Sequence, residues 1–309
     1  MQKAKEIRNP IRLFLTGFAM GSADIVPGVS GGTIALIFGV YEQLISSIKI
    51  TSGKVLKLAL RGKFREAAIT VPWRFLLPLG LGLAAAVVTL SNVLEWVLQK
   101  YPVFLWAFFF GLVLASVYLV GKRVPKWETK TYVSFIFTTI LAYIVVGAVP
   151  METPQTALAM FLAGAIAICA MILPGVSGSF LLVIMGKYGQ VLGAVTERDF
   201  VTLAIFGAGI IVGISLFSRL LSWLLAKYYN VAMAALTGFM FGSLRKIWPW
   251  KVTLETQIDR HGVEVPVSEI NVLPERLDSG VLFAVGLAVF GICLIIYLAS
   301  IDKKVVRKE

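Results

Sequence analysis

Ala23-Asp24-Ile25-Val26-Pro27-Gly28-Val29-Ser30-Gly31-Gly32-Thr33 returns 147 positions later as Ala170-Met171-Ile172-Leu173-Pro174-Gly175-Val176-Ser177-Gly178-Ser179-Phe180. Sliding the chain by that offset lays Gly17–Gln43 on Gly164–Gln190, with 12 of the 27 positions identical, Gly39/Gly186, Tyr41/Tyr188 and Gln43/Gln190 among them. Each copy interrupts an apolar run, residues 11–48 in one half and 157–195 in the other. Proline removes a backbone donor and glycine weakens a helix, so each run is predicted to be two helices joined by a bend, a hairpin. A second match, at offset 127, pairs Ser91/Ser218, Trp96/Trp223, Tyr101/Tyr228, Gly111/Gly238 and Ser116/Ser243. The 20-residue difference falls in the basic stretch 49–74, which the second half lacks.

Outside the two hairpins, six uninterrupted apolar segments suit membrane-spanning helices, at about 75–98, 103–121, 132–149, 200–226, 230–246 and 280–301. The composition agrees: 58% of the 309 residues are apolar and only 15% charged, which points to a lipid solvent. That balance excludes a disordered chain and a disulfide scaffold and argues against a soluble multidomain enzyme. Cys169 and Cys293 both lie in apolar runs, and the single His261 leaves no histidine-based metal cluster. The basic start runs straight into the first interrupted segment, without a cleavable signal pattern.

The net charge of +12 reads as orientation. With a cytoplasmic amino terminus and each hairpin returning to its side of entry, 20 of the 29 Lys and Arg fall on the cytoplasmic side and 7 outside, leaving Lys187 and Arg219 within apolar runs. This obeys the positive-inside rule and needs no nucleic acid. Both termini are then cytoplasmic. The stretch 49–74 reads either as an amphipathic helix on anionic lipid or as a solvated loop. The external segment 245–278 reads as a small surface cap anchored by Trp248 and Trp250. The expected fold is an all-α polytopic membrane protein of two halves, 1–150 and 151–309, each one hairpin plus three crossings. Three is odd, so the second half enters from the opposite face and the repeat is inverted, a plan common among secondary transporters.

In such a plan the bends lie near mid-membrane. Ser30 and Ser177 are placed to cap the returning helices, and the amides of Gly31, Gly32 and Thr33, and of Gly178, Ser179 and Phe180, are expected to lack intrahelical acceptors. Two such helix ends facing each other form a backbone anion site for phosphate or carboxylate, with close approach at Gly28 and Gly175 and hydroxyls from Ser30, Thr33, Ser177 and Ser179. Lys187 and Arg219 are candidate phosphate partners. Ionisable groups at membrane depth are costly, so Asp24, Glu42 and Glu95 are candidates for coupling or gating, Asp24 as a proton carrier. No catalytic residue, metal or cofactor is called for, and no Walker-type phosphate loop is present.

The doubled Pro-Gly-Val-Ser-Gly motif resembles the bacterial polyprenyl-phosphate transporters of the PopT type, and the resemblance spans nearly the whole chain. It implies translocation of undecaprenyl phosphate from the outer to the inner leaflet of the cytoplasmic membrane, which recycles the lipid carrier for envelope synthesis. Ser179 opposite Gly32, and Met171 opposite Asp24, set the two bends apart from each other. A carrier or channel for a small soluble anion, an integral membrane enzyme acting on lipid phosphates and a structural membrane protein are the alternatives.

Overall fold

The computed structural model describes residues 9–26, 29–148, 153–258 and 264–306. The first half runs α1 (Pro10–Ile25), α2 (Gly31–Ile37), α3 (Tyr41–Ile50), a π-turn (Thr51–Val55), α4 (Leu56–Leu60), α5 (Phe64–Thr70), α6 (Trp73–Lys100), α7 (Pro102–Gly121) and α8 (Thr129–Val146). The second runs α9 (Ala157–Ile172), α10 (Gly178–Ile184), α11 (Tyr188–Glu197), α12 (Phe200–Lys227), α13 (Tyr229–Ser243), β1 (Lys251–Ile258), β2 (Glu264–Asn271) and α14 (Ser279–Val306). Four successive pairs have equal lengths: α1 and α9 have 16 residues, α2 and α10 have 7, α3 and α11 have 10, and α6 and α12 have 28.

Each interrupted run is three helices, where the sequence predicts two. Beyond the proline bend, a second break falls at Gly39 and Gly186, both at φ 63°. The Val40 amide donates to the Ala35 carbonyl (2.9 Å) and the Gly39 amide to Leu36 (3.0 Å). Lys187 and Gly186 repeat the pattern on Leu182 (2.8 Å) and Val183 (2.9 Å). These are Schellman terminations, which need a left-handed residue that only glycine adopts freely. The chain turns by 118° at the first break and 104° at the second. Lys187 therefore sits at a helix junction, not in mid-helix.

Among the described residues five helices are long and apolar enough to cross a bilayer: α6, α7, α8, α12 and α14. The sixth, α13, has 15 residues, about 22 Å at 1.5 Å per residue, and is short for a 30 Å core. Its Met233, Ala234, Leu236 and Met240 are almost wholly buried, and α7 is half buried beside it. These two central helices carry the core, while α6, α8, α12 and α14 present most of their surface outward. The stretch 49–74 is largely helical, and Phe64 and Ile69 of α5 stand exposed. The all-α expectation takes one correction. Within 245–278 the alternation of polar with apolar residues in Lys251–Ile258 and Glu264–Asn271 builds an antiparallel β-hairpin, with register shifts flanking Glu255.

The long contacts pair helices running in the same direction. Gly17 of α1 lies against Leu79 of α6, and Gly21 against Leu83 and Ala86. Gly164 of α9 lies against Phe206 of α12, Gly209 against Phe161 and Gly213 against Ala165. Ser134 of α8 reaches the Val231 carbonyl of α13 (3.1 Å), and further along Gly242 meets Thr139 and Ala142. Phe104 of α7 meets Phe283 of α14 edge to face, and Phe108 lies tilted against Phe290. Parallel packing of α1 on α6 means that the chain between them comes back to the end where α1 began. The same holds for α9 and α12.

Candidate functional site

The first bend leaves α1 at extended Val26 and enters α2 at Ser30. Pro27 and Gly28 lie outside the described residues. The Ser30 Oγ accepts from the Gly32 amide (3.2 Å) and the Ser30 carbonyl from the Thr33 amide (2.9 Å). The Gly31 amide donates to Asp24 Oδ1 (2.6 Å). Asp24 thus brings its own carboxylate to the helix start, where an anion is favoured. A Cβ on residue 31 would stand 2.5 Å from Asp24 Oδ2, so the carboxylate needs glycine there. The expectation of bare amides at Gly31, Gly32 and Thr33 is corrected: all three are taken from within the chain. The Thr33 Oγ1 is buried without a hydrogen-bond partner.

The second bend meets the first. Ser30 Oγ donates to the Leu173 carbonyl (3.2 Å), and the hydroxyl of Tyr41 donates to the Ile172 carbonyl (3.1 Å). The last carbonyls of α9 have no intrahelical donor, and here the other half of the chain supplies it. Gly175, at φ 86°, lies against Ser243 and Met240 of α13. Ser177 and Ser179 are hydrogen-bonded to each other at 2.8 Å, and Ser179 is exposed. Position 171, the counterpart of Asp24, is an exposed Met. Among the described residues the amides of Gly178, Ser179 and Phe180 have no acceptor, so the sequence difference between Asp24 and Met171 becomes an occupied helix start against an open one.

A cation attends the open start. The Lys246 Nζ lies 4.8 Å from the centre of the Phe180 ring in the first turn of α10 and pairs with Glu269 at 3.2 Å. Lys251 shares that carboxylate at 3.4 Å and sits 4.3 Å over the Trp106 ring. Burial pulls the Lys251 ammonium down to about 8, Glu269 working against the fall and Lys246 adding to it. Lys246 and Tyr41 escaped the sequence reading. Lys246 counted only as an external charge, though its place beside Trp248-Pro249-Trp250 was a signal. Tyr41 appeared only as a repeat identity.

Residues 20–265 match the family model described as VCA0040-like, undecaprenyl phosphate translocase-like. The chain belongs to this family. A "Polyprenyl-phosphate transporter" of Vibrio cholerae is 40% identical over 280 residues, covering 89% of this chain and 90% of that protein. One of the same name from Staphylococcus aureus is 32% identical over 253 residues, covering 76% of this chain and 85% of that protein. No solved structure matches.

The other charged candidates in this translocase-like chain do not gather at the bends. Lys187 is 1% exposed, and its Nζ donates to the Pro154 carbonyl (2.8 Å) and Gln190 Oε1 (2.9 Å), clamping the start of the second half onto the α10–α11 junction. Glu42 is exposed in the first turn of α3, near the Tyr229 hydroxyl. Arg123 spans to the Ile37 carbonyl nearby (2.7 Å). Glu95 is exposed near the end of α6. Arg219 lines a separate groove with residues 52–61. Among the described residues no group of three or more His, Cys, Asp or Glu is placed to hold a metal ion.

Proposed function

We propose that this chain translocates a polyprenyl phosphate, undecaprenyl phosphate in particular, from the outer to the inner leaflet of the bacterial cytoplasmic membrane. Carrier recycled in this way re-enters envelope glycan synthesis. The observation that carries the reading is the contact of the two bends, Ser30 on Leu173, in a chain of the translocase-like family. The names of the relatives in Vibrio cholerae and Staphylococcus aureus support the same substrate class.

The halves 1–150 and 151–309 act as an inverted pair, with hairpins re-entering from opposite faces. Exchanging the halves turns the α1–α6 contact into α9–α12 and the α7–α14 contact into α13–α8, and both kinds of contact occur. With the positive-inside orientation, Lys246 and the open start of α10 belong to the outer side. The phosphate head is taken up there by the amides of Gly178, Ser179 and Phe180 and the hydroxyls of Ser177 and Ser179, with Lys246 as the attracting charge. The isoprenoid tail stays in lipid. At the first bend Asp24 holds the place of the phosphate on the Gly31 amide. A proton on Asp24 weakens that hold and lets the phosphate replace it beside Ser30, Gly32 and Thr33, which couples transfer to proton entry. Glu42 and Glu95 gate the two ends. This is transport, not turnover, and requires neither metal nor cofactor.

The test is reconstitution in liposomes with labelled undecaprenyl phosphate, following leaflet exposure. The protein should accelerate exchange, and Ser177→Ala with Ser179→Ala should slow it about tenfold, the loss expected for removing charge-assisted hydrogen bonds. Exchange at the same rate with and without protein would sink the proposal.

A further inference from the structure

Between the basic stretch and α12 runs a groove of about 460 Å³ that no role has yet claimed. One wall carries Lys57 and Arg61, the other Arg219, and no carboxylate lines it. Among the described residues these three cations have no hydrogen bond or ion pair, and the buried Ser52 Oγ beside them has no partner either. The guanidinium of Arg219 lies over Gly53, where a Cβ would stand 3.3 Å from Nη2. Apolar side chains line the same groove: Leu60 is 80% exposed, Leu216 62% and Ile211 47%. Arg219 is 19 residues from the start of α12, about 28 Å at 1.5 Å per residue, which is the depth of a headgroup boundary. The groove opens along an outward-facing helix, so its apolar strip meets lipid chains.

Three unpaired cations and an apolar strip in one groove match a lipid with a doubly charged phosphate monoester head. We infer that this groove is a second station for the lipid phosphate: the head sits between Lys57, Arg61 and Arg219 with Ser52 as a further donor, and the first isoprenoid units lie along Leu60, Ile211 and Leu216. The inference rests on the proposed transport reading and adds a station at the end of the path opposite to Lys246. Inorganic phosphate meets the same cations but leaves the apolar strip unused.

The experiment uses the full chain in phosphatidylcholine nanodiscs with a photoactivatable undecaprenyl phosphate bearing its diazirine on the first isoprenoid unit. Cross-linked peptides are mapped by mass spectrometry. Label is expected on residues 52–61 and 211–219, falling at least about tenfold in the Lys57→Gln, Arg61→Gln, Arg219→Gln triple variant. Arg219→Gln alone is the fallback if the triple variant does not fold, with Arg219→Lys restoring part of the label. Label confined to residues 177–180 would overturn this station while leaving transport standing. Displacement by phosphatidylglycerol or by inorganic phosphate as efficient as by unlabelled undecaprenyl phosphate would also overturn it. No specific label anywhere, together with no leaflet exchange, would overturn both.

Discussion

At the scale of single residues, the two copies of the motif have diverged in what they bond, although their letters agree. Tyr41 and Tyr188 are repeat counterparts, yet the first is buried and holds the Ile172 carbonyl, while the second is 45% exposed. Tyr41→Phe leaves a buried carbonyl unpaired and should destabilise the protein by about 1–3 kcal/mol, whereas Tyr188→Phe should be nearly silent. Thermal melts of the two variants in one detergent check this, and equal shifts would contradict the assigned contact. Gly31→Ala drives a methyl into the Asp24 carboxylate and should lower the melting temperature, with a cost of about 1–3 kcal/mol for the forced shift. Combining it with Asp24→Ala, which vacates the space, should recover part of the loss.

At the scale of elements, much was written in the chain, and the exceptions have physical causes. Five of the six expected crossings fall where an apolar run of about 20 residues requires a helix, because lipid leaves the backbone no other way to satisfy its polar groups, while α13 stops at 15 residues. The break at Gly39 and Gly186 was visible as a kept glycine, but an apolar run on either side gives no hint that the chain turns there. The bend amides show the limit most clearly: helix logic exposes them, and only the three-dimensional return of Asp24 decides which bend is closed. The β-hairpin escaped because charges and prolines in 245–278 resemble a plain loop, and its alternation is short. That hairpin carries a pH signature. Lys251 titrates near 8 when folded and near 10.5 when free, so between these values the unfolded chain binds more protons and stability rises with pH. Melts followed by tryptophan emission should show this rise from pH 8 to 10, and Lys251→Met should flatten it.

For the whole molecule, four parallel pairs, α1 with α6, α9 with α12, α8 with α13 and α7 with α14, tie every long helix to a partner of the other half or of its own hairpin. Fixing the direction of one helix therefore fixes all of them once the short connections between consecutive crossings are counted. Lys100 and Tyr101 leave no room for anything but an antiparallel turn between α6 and α7, and Tyr228 does the same between α12 and α13. Orientation then reduces to one choice, and the Lys and Arg distribution favours the one proposed above. In a variant with Cys169 and Cys293 replaced by serine, a cysteine at exposed Leu273 should react with a membrane-impermeant thiol reagent in intact cells. Cysteines at Gly62 and at Lys130 should react only after permeabilisation. Gly62 is the informative position, because it follows the first hairpin and shares a side with Lys130 across the paired crossings α6 and α7: external labelling at Gly62, Lys130 and Leu273 alike would mean that both interrupted runs cross the membrane completely, against the parallel packing of α1 on α6 and of α9 on α12. Reversal at all three sites would keep the fold but exchange its faces, placing Lys246 with the cytoplasmic leaflet and Arg219 with the outer one, and the proposed direction of lipid transfer would reverse with them.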